Sequence, residues 1–289
     1  LMVWGSKIEV GTTVRIDRDR NDSIGLAAGD QIWADNTLIL ARSNLAERIY
    51  DICGQEHIRA LWIPDGRTGT LLKDWSGNNR AATIGTSLTT IVDGHCRYLP
   101  TTADTHWWEI ADADWLSFGN GTTDTAFTIL VLCNPTVAVG TTSIRTLFGR
   151  WNLQTPLREY RFHYTGFHLI FQCADQSGGG TIGRQTDAPP TGNVWQVLEA
   201  SYDGGGSAAG MSIFVNGVRM DTTTISAGSY TAMANLALPA GNFFTGSDGT
   251  RGVFRGKYGM ALLLAGQLTA AQRARLHLIL RGFAGTSPV

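Results

Sequence analysis

The side chains of this 289-residue sequence best suited to chemistry are a run of acids and a set of tryptophans. The acids are Glu109, Asp112 and Asp114, in the stretch EIADAD. Two carboxylates about 5–9.5 Å apart in a cleft can hydrolyse a glycosidic bond, one protonating the leaving oxygen while the other attacks or activates water. This run, however, leaves a short strand for a loop, where Asp side chains cap neighbouring backbone N–H groups. No catalytic residue is assigned, and the chain is read as non-enzymatic. The tryptophans offer binding chemistry. Trp75, Trp107, Trp108 and Trp151 are the candidate glycan contacts, because an indole face stacks on the apolar face of a sugar ring. The competing reading is that they fill a wide sandwich core. Trp107 and Trp108 are consecutive in a predicted strand and must point to opposite faces. One of them therefore belongs to the core, and the other is exposed or in an interface.

Other chemistry is thinly represented. His163 and His168 could meet across a hairpin around Thr165-Gly166, but no HxH or HExxH spacing supports a metal. Gly178-Gly179-Gly180 lacks the lysine and following helix of a phosphate loop. The four cysteines, Cys53, Cys96, Cys133 and Cys173, form no CxxC and are read as buried thiols. A formal charge of -1 leaves no electrostatic footprint for nucleic acid or an anionic membrane. No apolar run approaches the roughly 18 residues of a membrane span, and LMVWGSK is too short for a secretory h-region. Leu1 fits either an alternative start codon or a processed or incomplete end.

These residues must be positioned by strands. Apolar content is 43%, charged content only 16%, and there are 35 glycines, a profile of many strands and turns. In 195–222, Trp195 to Tyr202 alternates, Met211, Ile213 and Val215 alternate, and Asn216-Gly217 supplies the positive-φ pair of a type I′ hairpin. Further strands are predicted at 60–63, 80–84, 107–110, 127–133, 146–151, 160–164, 167–173, 218–222 and 258–265. Helices are predicted at 44–53, with Asn44 and Glu47 as a capping box, and at 270–281, with Thr269 and Gln272 as another and Gly282 as the stop. Arg273, Arg275 and Arg281 read as a solvated helix face. Residues 1–42 stand apart as an arm: Arg15, Asp17, Arg18, Asp19, Arg20 and Asp22 alternate in sign, and Ile8, Val10, Val14 and Ile16 make an apolar face. Residues 43–58 are a short helix and connection, and 59–289 an antiparallel β-sandwich.

Four stretches in order, LWIPDGRTGTLLKDWSGNNRAATI (61–84), WWEIADADWLSFGNGTTDTAFTILVLCNPT (107–136), WQVLEASYDGGGSAAGMSIFVNGVRMDT (195–222) and KYGMALLLAGQLTAAQRARLHLIL (257–280), resemble the concanavalin A-like lectin/glucanase jelly rolls of laminin-G-like type. The resemblance covers about three quarters of the chain. It implies an all-β jelly roll with a short C-terminal helix. The glucanases of that superfamily carry a Glu-x-Asp-x-Glu strand, which this chain lacks. Related domains often hold calcium on loop oxygens, which would make Asp74 with Asn78, or Asp203, or Asp248 the candidate ligands. No other cofactor is implied.

This fold hosts several functions. The leading expectation is a structural protein of a bacteriophage virion, a decoration, head-fibre or tail-associated subunit. It would dock on other capsid subunits through residues 1–42 as part of a homo-oligomer or larger assembly, and adhere to cell-surface glycans. The alternative is a carbohydrate-binding lectin or adhesin in an extracellular or cell-surface setting. A glycoside hydrolase comes third.

Overall fold

A computed structural model describes residues 39–64, 69–88, 91–93, 96–176, 179–243, 245–247 and 251–284. The chain divides into two units, 1–51 and 52–289. The second holds strands β1 (Ile58–Trp62), β2 (Gly69–Leu72), β3 (Ala82–Leu88), β4 (Ile91–Asp93), β5 (Cys96–Thr101), β6 (Trp108–Ile110), β7 (Phe127–Pro135), β8 (Arg145–Trp151), β9 (Arg158–Tyr164), β10 (Leu169–Ala174), β11 (Thr181–Thr186), β12 (Gln196–Tyr202), β13 (Met211–Val215), β14 (Val218–Arg219), β15 (Asp221–Thr224), β16 (Ala240–Gly241) and β17 (Gly256–Ala265). Helix α1 spans Ile39–Cys53 and α2 Ala270–Phe283.

The strands form two antiparallel sheets. One runs β14-β13-β12-β7-β17-β5-β4, with β1 also on β17, and the other β15-β11-β10-β9-β8-β16-β6-β3-β2. β17 serves two partners on one side, its first residues pairing with β5 and its last with β1. Phe127, Ile129, Val131 and Cys133 of β7 meet Tyr160, Phe162 and Tyr164 of β9 in one apolar core. Phe118 and Phe127 stack at 4.2 Å, and Trp62, Trp108 and Phe148 pack together within 6 Å. β7 is buried along its whole length and reads as a nearly continuous apolar run, while α2 is tied to the neighbouring β12.

The all-β sandwich with a C-terminal helix stands. The Asn216-Gly217 turn has φ of 53° and 87° and joins β13 to β14, and Thr269 and Gln272 form the capping box. Several elements differ from expectation; β2, β4, β5 and β16, like β11, lie where no strand was predicted. α1 starts at Ile39, so Asn44 lies inside it; Ile39, Leu40 and Ala41 are helix formers that carry the helix past the predicted cap. α2 runs through Gly282 to Phe283. The predicted strand 218–222 breaks at Met220, because β14 pairs with β13 in one sheet and β15 with β11 in the other. β11, TIGRQT, went unpredicted because Ile182 is its one strongly apolar side chain. Residues 1–38, most of the predicted arm, and Asp248 lie outside the described residues. No described helix is long and apolar enough to cross a membrane.

Candidate functional site

A cleft of about 470 Å³ opens where β11 meets the Gly-rich loop DGGGSAAG, residues 203–210, and the segment 224–230 that follows β15. Ile182, largely buried in the core, and Arg184, two residues on and on the same face of β11, line the cleft together with Thr181. Gly204 and Gly206 take φ of 81° and 68°, a conformation that a side chain would strain. Asp203 closes the loop by accepting the Gly205 N–H at 2.7 Å.

Asp124 holds both walls. Its Oδ2 accepts the hydroxyls of Tyr230 at 2.5 Å and Tyr202 at 2.8 Å, and its Oδ1 accepts the Met233 N–H at 2.8 Å. The Tyr202 oxygen in turn accepts the Gly206 N–H at 2.7 Å. One carboxylate therefore fixes the tyrosine wall and, through Tyr202, the glycine loop. Burial raises the Asp124 pKa, against the opposing pull of the two tyrosine hydrogen bonds.

Arg184 forms part of the lining and shares the Asp221 carboxylate with Arg219. Its Nε donates to Asp221 Oδ2 at 2.7 Å and its Nη1 to Thr224 Oγ1 at 2.8 Å. Asp221 also accepts the Ile213 N–H at 2.8 Å and the Arg219 guanidinium. Burial alone would raise its pKa, but these donors lower it. The described lining adds the hydroxyls of Thr181, Ser207, Thr224 and Ser226, with no carboxylate, imidazole or thiol among them. Such a surface can hydrogen-bond a polyol; its described side chains include no carboxylate or imidazole to activate a hydroxyl.

The four predicted tryptophans do not converge on this cleft. Trp108 is fully buried among Trp62, Phe148 and Tyr258 and has no face for a ligand. Trp107 points the other way, as adjacency in a strand requires. Its indole is pressed onto Gly85, where a Cβ would stand 2.1 Å away, with Arg251 at 4.0 Å over the ring. Trp151 is 5% exposed, with Arg161 over its ring at 4.5 Å, so a sugar has no face of it to stack on. Trp75 is half-buried, with Lys73 above its ring and its Nε1 donating to the Ile63 carbonyl at 3.2 Å.

The calcium candidates do not fit an ion. Asp74 Oδ1 accepts the backbone N–H groups of Leu61 and Ser76, and its Oδ2 accepts the Ser76 hydroxyl and the Arg80 N–H, all within 3.0 Å. Asn78 donates its amide to the Ile58 carbonyl. Asp203 organises a separate loop. Among the described residues no three His, Cys, Asp or Glu side chains gather as a metal site.

The acid run is also in structural use. Asp112 pairs with Arg150 at 2.6 Å, and Asp114 accepts from Asn235 at 2.8 Å. Arg150, fully buried, also meets Glu159, whose pKa burial pushes up to about 7. His163 and His168 do not pair. His163 stands opposite Ile170 in the ladder, while His168 meets the Thr186 carbonyl at 2.7 Å. Cys53, Cys133 and Cys173 are free and buried, and burial raises each thiol, Cys53 to about 12. Sequence reading missed Asp124, Arg184 and Tyr230. The one local signal nearby was the glycine cluster, which marks a turn without naming its partners.

No family model matches the chain, and no curated protein matches it in sequence. Solved structures do match in fold. The binding domain of Paraclostridial Mosquitocidal Protein 1 is 13% identical with a TM-score of 0.56, over 80% of this chain and 56% of that one. A structure of botulinum neurotoxin type C, whose cell entry depends on interaction with two ganglioside molecules, is 12% identical with a TM-score of 0.53, over 78% and 52%. Domain 4 of a GH43 extracellular arabinanase from Geobacillus stearothermophilus, in complex with arabinotriose, is 15% identical with a TM-score of 0.50, over 76% and 98%. The chain spans about half the length of the toxin domains it matches. At these identities the likeness shows the fold.

Proposed function

We propose that this chain is a non-catalytic β-sandwich that binds an oligosaccharide in the cleft between β11 and the 203–210 loop. The observation that carries this reading is the lining: hydroxyls, one ion-paired guanidinium and a tyrosine held by Asp124, with no carboxylate, imidazole or thiol among the described lining residues. About 470 Å³ suits a ligand of a few sugar rings. The arabinotriose complex and the ganglioside-dependent toxin lend support by fold. Trp75, half-buried and outside this cleft, is a secondary contact.

A glycan array of the parent, followed by polysaccharide affinity electrophoresis of Ala209→Trp and Tyr230→Ala, tests this. Ala209 is an exposed lining residue, so Trp there fills the cleft without disturbing the core. Retention should fall at least tenfold in Ala209→Trp while the melting temperature holds. Binding unchanged in both variants moves the site elsewhere, and no binding by the parent removes the reading.

The finer reading is a bacteriophage virion subunit, or an extracellular adhesin, that docks through residues 1–42. It rests on the alternation of Ile8, Val10, Val14 and Ile16 beside sign-alternating charges. Removing residues 1–38 leaves α1 whole. The shortened chain should fold yet fail to join particles or oligomers; retained assembly excludes the arm as the docking element.

A further inference from the structure

We infer that the loops β7–β8, β9–β10 and β11–β12 form a lipid-contacting tip that inserts shallowly into a bilayer surface. Three large apolar side chains stand out from these loops: Val139 is 79% exposed, Phe167 44% and Val194 45%. Backbone hydrogen bonds hold the loops side by side. The Gly140 N–H donates to the Gly166 carbonyl at 3.1 Å, the Gly166 N–H to Thr141 at 2.8 Å, and the Asn193 N–H to Pro135 at 2.8 Å. Gly166 permits the closest approach, since a Cβ there would lie 2.2 Å from the Ala138 carbonyl oxygen.

Two observations select a bilayer as the occupant. First, the tips carry no charge: residues 136–144, 165–168 and 188–195 contain no Asp, Glu, Lys or Arg. Part of their polar backbone is also engaged within the protein, most fully in 165–168. Thr165 Oγ1 accepts the N–H groups of Phe167 and His168, the Thr165 N–H bonds the His168 carbonyl, and Thr141 Oγ1 donates to Ala138. A segment entering an apolar phase needs its backbone satisfied in this way, whereas a strand-adding protein partner needs free edge groups.

Second, the charges stand behind the tips with a small positive excess. Arg145 opens β8, and Arg255 and Lys257 flank the start of β17. Both guanidiniums share the one carboxylate of Asp104, at 3.1 and 2.9 Å, and Asp187 is the other acid at the loop bases. Apolar residues ahead of a weakly cationic collar match the headgroup–acyl boundary of a membrane containing anionic lipid. The contact is peripheral and stands apart from the sugar cleft.

Vesicle flotation tests the proposal with the full chain and sugar-free vesicles, one set of phosphatidylcholine alone and one with a third phosphatidylserine. The outcome is thus independent of any glycan site. The parent should float with the anionic vesicles, less with the neutral ones, and less again in 0.5 M salt. Val139→Asp and Phe167→Asp alter exposed positions, so melting temperature and circular dichroism should be unchanged while flotation drops at least fivefold. A parent that stays in the bottom fraction overturns the proposal, as does flotation that survives both substitutions. Concentration-dependent dimerisation that the same substitutions abolish assigns the tip to a second copy instead, and also overturns it.

Discussion

Nε2 of His277 lies 2.7 Å from Oε2 of Glu199, and both side chains are removed from solvent. Glu199 sits on β12, on the face turned away from the core shared by the two sheets. Its other oxygen accepts Arg273 Nε at 2.8 Å, and that guanidinium lies 3.7 Å over the Phe214 ring. Arg273 was expected on a solvated face of α2. It points inward instead, because a buried carboxylate requires a cation. Leu276 and Leu280 add the apolar part of the same contact. The C-terminal helix is therefore tied to the sheet by an ionic cluster as well as by oil.

Removing the Glu199 carboxylate should cost more than losing one hydrogen bond. Glu199→Ala leaves Arg273 and His277 facing each other without an anion, and a broken buried pair costs about 3–5 kcal/mol. Glu199→Gln keeps one acceptor and should cost less. Urea unfolding of the two variants measures this, and a loss below ~1 kcal/mol for Glu199→Ala would show that α2 does not depend on the cluster.

Glu159 predicts a pH dependence. Its pKa is raised to about 7 chiefly by burial, with Arg150 pulling it back down. A raised carboxyl pKa means the folded state binds the proton more tightly than the unfolded chain. This contribution to stability is therefore full below the unfolded value of about 4.5 and declines as pH rises towards about 7. Glu159→Gln should remove that decline, on the order of 1–3 kcal/mol across the window. Unfolding free energies of parent and variant with parallel slopes between pH 4.5 and 7 would count against this.

Asp221 acts in the opposite direction. Although burial works against it, hydrogen bonds from Arg219, the Ile213 N–H and Arg184 lower its pKa. Its contribution is present above the unfolded carboxylate range near 4 and is lost as pH falls through its folded value. Asp221→Asn should weaken the join between β13 and β15 by about 1–3 kcal/mol at neutral pH and reduce the acid sensitivity. Equal acid midpoints for parent and variant would exclude the role.

Trp107 and Gly85 should behave as a coupled pair. Gly85→Ala puts a Cβ into the indole and should cost about 1–3 kcal/mol by overpacking. The same substitution in a Trp107→Ala background should cost far less. A double-mutant cycle with a coupling energy near zero would mean the indole does not rest on β3. Trp108→Ala, by contrast, empties a core site and should cost about 3–5 kcal/mol by itself.

Elements whose pattern is local were readable from the chain. β7, β12 and β17 alternate or run apolar over seven or more residues, Asn216-Gly217 carries its own turn geometry, and Thr269 and Gln272 cap a helix three residues apart. Each depends on neighbours within one turn or one strand, so the amino-acid order is enough. β11 was not readable, because it is held by β10 and β15 rather than by apolar side chains of its own. The cleft was invisible for the same reason. Asp124 meets Tyr202 and Tyr230 across 78 and 106 residues, a separation over which no periodicity extends. The roles of the tryptophans were decided the same way. Sequence adjacency required Trp107 and Trp108 to diverge, but only the packing of Trp62, Phe148 and Tyr258 decided which of them became core.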